Sequence, residues 1–146
     1  MKYKDLKEGM VITHPPMVVD HEEMLAFSRR YDAQWFHTDA EKAAEGRWGG
    51  LIASGWFTGS MAMHMAVNAI MHDSNAFGSP GLKHINWHAP VRAGDALRLE
   101  VHVDKLRTSA SRADMGIVEW TWKLFNQDDV MVMDLVAVTF FDLTQE

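Results

Sequence analysis

The sequence predicts an α+β domain in which a curved antiparallel β-sheet wraps around one long buried helix. Three observations lead there. The first half of the chain carries helix-capping signals. Residues 53–71 are apolar nearly all the way round a helix, which places that helix inside the fold. Beyond it, apolar and polar residues alternate with a period of two, as in strands with one buried face.

Taken in order, residues 10–14 read as a short strand that Pro15-Pro16 stops. Asp20 is placed as an N-cap with Glu23 three residues on, as in a capping box, for a helix over residues 22–30 that buries Met24, Leu25 and Phe27. Residues 39–45 form a second, short helix closed by Gly46. The central helix carries Trp56, Phe57, Met61, Met63, Met65, Ala66, Val67 and Ile70 on all sides. Residues 72–80 are polar and read as a loop. Four strands follow, over residues 82–89, 97–104, 118–124 and 130–143, with a turn at Asn126-Gln127-Asp128-Asp129 before the last. That last strand is apolar on both faces except for Asp134 and a few polar residues near its end, so it belongs at the centre of the sheet or at a subunit contact.

The chain has 146 residues, enough for one domain over 1–146 and too few for two ordinary ones. Its 47% hydrophobic and 23% charged content are those of a soluble globular protein. A net charge of -6 opposes general nucleic-acid binding, which needs a basic surface to neutralise phosphates. There is no cysteine, which removes disulfides, thiolate metal sites and a cysteine nucleophile, and fits a cytoplasmic location. The charged start Met1-Lys2-Tyr3-Lys4-Asp5 carries no targeting pattern. The longest apolar run, residues 61–71, is broken by His64 and Asn68 and falls short of the roughly 20 residues of a membrane span.

Chemistry concentrates in two neighbouring segments. Tyr31-Asp32-Ala33-Gln34-Trp35-Phe36-His37 sets a carboxylate and an imidazole five positions apart on a loop-like path. Trp48-Gly49-Gly50-Leu51-Ile52-Ala53-Ser54-Gly55 then runs into the central helix. A carboxylate and an imidazole touching one water can hold it, deprotonate it and deliver a proton, because imidazole changes protonation near neutral pH. A backbone N–H at a helix start can stabilise a developing oxyanion. By spacing alone, a turn-capping Asp32 and a structural His37 are the favoured account of the pair, and Gly49, Gly50 and Gly59 serve tight helix–sheet packing as readily as a ligand, Gly55 less so. His84 and His88 share one face of a strand with Asn86, a metal pair without a third ligand in sequence, while Ile85 and Trp87 on the other face read as core. No Gly-x-Ser-x-Gly and no phosphate loop is present.

Three stretches, in this order, resemble the MaoC-like dehydratase family, whose fold is the hotdog and whose members include the R-specific enoyl-CoA hydratases. They are Tyr31 to Asp39, Gly49-Gly50-Leu51-Ile52-Ala53-Ser54-Gly55-Trp56, and Trp87-His88-Ala89-Pro90-Val91-Arg92-Ala93-Gly94-Asp95-Ala96-Leu97. The last is similar to the family's Pro-Val-x-x-Gly-Asp-x-Leu. The resemblance implies an acyl-thioester hydratase or dehydratase acting on enoyl-CoA or 3-hydroxyacyl-CoA substrates. Asp32 and His37 match the Asp and His of the family's Asp-x-Asn-Pro-x-His and would activate water, with the Gly55 amide as the oxyanion donor. Gln34, Trp35, Ser54 and Trp56 would line the substrate pocket. Gln34-Trp35 stand where the family has Asn-Pro, and Ser54 where it often has His. A CoA carrier needs cations for its phosphates, for which Lys83, Arg92, Arg107 and Arg112 are candidates; an acyl carrier protein is the other possible carrier. The resemblance further implies a homodimer or an assembly of dimers, and no cofactor or metal. A hotdog thioesterase and a non-catalytic acyl-CoA-binding or assembly subunit are the alternatives.

Overall fold

A computed structural model describes residues 1–145. Five strands, β1 (Val11–Val18), β2 (Ala76–Trp87), β3 (Ala96–Thr108), β4 (Met115–Phe125) and β5 (Met131–Asp142), form one sheet in the order β1-β3-β4-β5-β2. Every neighbouring pair is antiparallel. Four α-helices, α1 (His21–Tyr31), α2 (Trp35–Thr38), α3 (Ala40–Glu45) and α4 (Gly55–Ala66), lie between β1 and β2 in the chain. A π-helical turn, Val67–Met71, extends α4. This is the hotdog arrangement, a sheet wrapped around one side of a central helix.

The alternation in the second half of the chain builds the core. Leu97, Leu99, Val101 and Val103 of β3, Val118, Trp120, Trp122 and Leu124 of β4, and Met133, Leu135, Ala137 and Phe141 of β5 point one way. They meet Phe57, Ala62, Met65 and Ala66 of α4. Each such large side chain contributes about 1.5–3 kcal/mol by leaving water. The one polar group that a buried Trp120 brings is satisfied, its Nε1 donating to Thr139 Oγ1 at 3.1 Å. β5 sits between β4 and β2, the interior place its two apolar faces require.

The helix signals of the first half behave as capping chemistry predicts. Asp20 accepts from the Glu23 N–H, starting α1, and Asp39 accepts from the Lys42 N–H, starting α3. α1 buries Met24 and Leu25, and Phe27 packs edge-on against Phe57 of α4.

Four expectations need correction. The first strand does not stop at Pro15-Pro16 but runs through them to Val18. It can do so because β1 is an edge strand, with its register shifting between His14 and Met17, so the missing N–H groups break no ladder. Residues 76–80, read as loop, already belong to β2, which pairs with β5 through successive bulges. α4 is not covered on all sides: Trp56 is 62% and Met63 43% exposed, because the sheet covers one side of the helix and leaves the flank beside β2 open. Trp87, read as core, is 43% exposed and lies on α4's first residue instead.

Among the described residues, no helix is long and apolar enough to cross a membrane.

Candidate active site

α1 ends at Tyr31, and Asp32 turns the chain away while its N–H still bonds the Ser28 carbonyl. The single turn of α2 then brings His37 back, so its Nε2 lies 3.3 Å from Asp32 Oδ2. His37 Nδ1 is 2.8 Å from the Ile52 carbonyl oxygen. A carbonyl only accepts, so Nδ1 carries a proton, and Nε2 is the ring nitrogen turned toward Asp32. The same Ile52 residue donates its N–H to the Phe36 carbonyl at 3.2 Å, tying the Gly-rich segment to α2 in both directions.

Asp32 is held from two further sides. Gln34 Nε2 donates to its Oδ1 and Ser54 Oγ to its Oδ2, each at 2.8 Å. Burial pushes the Asp32 carboxyl up, but these two hydrogen bonds and the attraction of His37 outweigh it, leaving the pKa below the ordinary value. Asp32 is therefore a carboxylate at neutral pH. Ser54, fully buried, is also the N-cap of α4, accepting from the Trp56 N–H at 3.3 Å. Gly55 follows as the first helical residue, where a backbone N–H has no intrahelical partner.

A cavity of about 330 Å³ opens over this group, walled by Asp32, His37, Gly55, Trp48, Trp56 and Trp87 among others. It brings a fixed carboxylate, an imidazole held through its Nδ1 and a helix-start amide to one space. That set can move a proton on one side of a bound carbonyl compound and stabilise charge on the other.

A family model described as MaoC like domain matches residues 5–119. The chain belongs to the MaoC-like dehydratase family. The MaoC-like dehydratase from Rhodospirillum rubrum is 30% identical, with a TM-score of 0.88, covering 95% of this chain and 94% of its own. The R-hydratase PhaJ1 from Pseudomonas aeruginosa, in its unliganded form, shares the fold at 21% identity and a TM-score of 0.77, over 96% of this chain and 84% of its own. A Bacillus subtilis (strain 168) protein, YdeM, itself uncharacterized, is 27% identical over 92% of this chain and 94% of its own.

The MaoC-like site gathers Asp32, His37, Gly55 and Trp56 at one cavity. Gln34 and Ser54, expected to line the pocket, instead hold the Asp32 carboxylate. Trp35 packs its ring over Gly46, where an added Cβ would come within 2.8 Å, and edge-on against Phe36, away from the cavity wall. A Cβ on Gly55 would lie 2.5 Å from the Trp87 indole, whose Nε1 donates to the Gly55 carbonyl at 3.0 Å. The glycine is thus required first by an indole of the same chain.

The four cations expected near phosphates have other neighbours. Lys83 pairs with Glu119 on the outer face of the sheet. Arg92 donates to the carbonyls of Leu51 and Trp48, fastening the Gly-rich segment, and its Nη1 lies 3.2 Å from where a Cβ on Gly50 would stand. Arg112 lies 3.6 Å from Asp114. Arg107 is near the end of β3 remote from the Pro90–Asp95 turn. His84 and His88 do share a face, and both contact Asp134. Burial pushes Asp134 up, yet the hydrogen bonds from His88 and His84 prevail and lower it. Among the described residues, no group of three or more His, Asp or Glu is arranged to hold a metal ion.

Sequence reasoning missed Trp48 and Trp87 as walls and the Ile52 carbonyl as the acceptor that holds His37 Nδ1. Backbone acceptors leave no side-chain signature. The period-two pattern assigned Trp87 correctly to the inner face but not to the open flank of that face.

Proposed function

We propose that this protein hydrates enoyl thioesters, or dehydrates 3-hydroxyacyl thioesters in reverse, with coenzyme A as carrier. The observation that carries the reading is the Asp32–His37 pair facing Gly55 across one cavity. In hydration, a water held between the Asp32 carboxylate and His37 Nε2 loses a proton to this pair as its oxygen bonds C3. The electrons of the double bond move toward the thioester oxygen, where the Gly55 N–H stabilises the charge. The proton then passes to C2, and the enzyme returns to its starting state. Ser54 and Gln34 keep Asp32 ionised and aimed, so no reorganisation is needed when substrate arrives.

We also propose that it works as a homodimer. Leu82 and Trp87 on β2 are exposed beside Trp56 and Met63 of α4, an apolar flank next to an edge strand with one unpaired side.

A panel of enoyl-CoA substrates, followed for loss of enoyl absorbance and appearance of free thiol together, tests the reaction. Loss of absorbance without thiol is expected, and Asp32→Asn and His37→Ala should each lower kcat by about 10²–10⁴-fold. Thiol release would make it a thioesterase, and binding without turnover an acyl-CoA-binding subunit. Variants as fast as the wild type would remove both residues from the mechanism.

A further inference from the structure

The candidate active-site cavity, at about 330 Å³, has room for a thioester and its acyl group but not for a whole coenzyme A. The carrier leaves it past an exposed part of the wall. Three wall indoles are exposed, those of Trp48, Trp56 and Trp87. Trp56 and Trp87 belong to the apolar flank that the second copy covers in the homodimer proposed above. Trp48 comes from elsewhere, the loop between α3 and α4. That loop is set in advance. Gly46 lies under the Trp35 ring, the Gly49 N–H donates to the Gly46 carbonyl at 3.0 Å, and Arg92 holds the Trp48 and Leu51 carbonyls. Next to Trp48 in the chain, Arg47 is exposed, and among the described residues it joins no ion pair. The cations expected at phosphates are otherwise engaged: Lys83 by Glu119, Arg112 by Asp114 and Arg92 by carbonyls. His88, also in the cavity wall, contacts Asp134.

We propose that Arg47 and Trp48 recognise the nucleotide end of coenzyme A, the guanidinium pairing with phosphate and the indole stacking on adenine. This inference rests on the hydratase reading above. Guanidinium matches phosphate oxygens with two parallel N–H donors, and an indole on a fixed loop receives a flat base with little loss of freedom. A chain of net charge -6 repels a polyanion in general, so one unpaired guanidinium next to a wall residue has a large share in holding it. The uncharged pantetheine arm joins this rim to the thioester at Gly55. A thioester that ends at pantetheine makes neither contact, so the two residues separate coenzyme A from shorter carriers.

The test compares kcat/KM for crotonyl-CoA and crotonyl-pantetheine, which share the reacting atoms and differ in the nucleotide end. The wild type should prefer crotonyl-CoA by about 100-fold. Arg47→Ala and Trp48→Ala should each lower that preference about tenfold, the scale of one charge-assisted contact or one stacked base, through KM for crotonyl-CoA. Arg47→Lys should keep part of the preference, and Arg47→Glu should remove more of it than alanine does. Rising salt should weaken the preference in the wild type and much less in Arg47→Ala, a response that a merely structural arginine would not give. Both residues are exposed, so their loss spares the core. A wild type that treats the two substrates alike, or an unchanged preference in either alanine variant, overturns the proposal while leaving the hydratase reading intact. No turnover of either substrate by the wild type overturns the hydratase reading, and this inference with it.

Discussion

Ser54→Ala isolates the residue that joins the acid to the helix. Its hydroxyl does two things at once: it caps α4 by accepting from the Trp56 N–H, and it donates to Asp32 Oδ2 at 2.8 Å. Loss of a serine cap costs about 1 kcal/mol. Loss of a hydrogen bond to a charged group costs about 1.5–3 kcal/mol. The two share one oxygen and do not add fully, so the variant should be less stable by about 2–3 kcal/mol at pH 7. The pH dependence separates them. The folded-state pKa of Asp32 lies below its unfolded value of about 3.9, so its contribution is present above that value and is lost as pH falls through the folded pKa. Ser54→Ala removes part of that contribution, and the gap from wild type should shrink toward the cap's share, about 1 kcal/mol, as pH falls from 7 to 3. Urea unfolding followed by tryptophan fluorescence at both pH values measures it. In the kinetic assay, the acid limb of kcat should move to higher pH. A gap that stays constant across this range, or one below about 0.5 kcal/mol at pH 7, refutes the assignment of Ser54 as the donor that holds Asp32 ionised.

Gly55→Ala forces a methyl group into the Trp87 indole and should cost about 1–3 kcal/mol, with a shift in tryptophan emission as the ring is displaced; native stability and emission would show that the ring is not packed there. Arg92→Ala frees the Trp48 and Leu51 carbonyls and should cost about 1–3 kcal/mol in thermal unfolding. Arg92→Lys should not restore the loss, since one ammonium lacks the planar fork that reaches both carbonyls; full rescue by lysine would reduce the role of Arg92 to its charge.

The strands of the second half were legible because each buries one face, and alternation is the direct imprint of that geometry. Asp20 and Asp39 announced two helices because a cap is a local device, read within four residues. What was illegible depends on distance in sequence. Nothing near Pro15-Pro16 says that the strand lies on an edge, where prolines are harmless. Nothing near Trp56 or Met63 says that a helix apolar all round will have one flank left open by its own chain. In the site, the acid, the imidazole and the helix glycine were visible as residue types in order. The duties of Ser54, Gln34 and Arg92 were assigned to substrate because polar side chains beside a catalytic motif suggest ligand contacts. The fold uses them on its own carboxylate and carbonyls.

The two borders of the sheet differ in what they can accept. β1 has a proline pair in mid-strand, so a neighbour laid along it would meet missing donors and a shifted register. β2 has one proline, Pro80, before a stretch of seven proline-free residues, 81–87. A sheet whose receptive border is single and short can take on one neighbour and then has nowhere to extend. Growth by edge addition is thus limited from within the sequence, which favours the proposed closed pair over an open-ended stack.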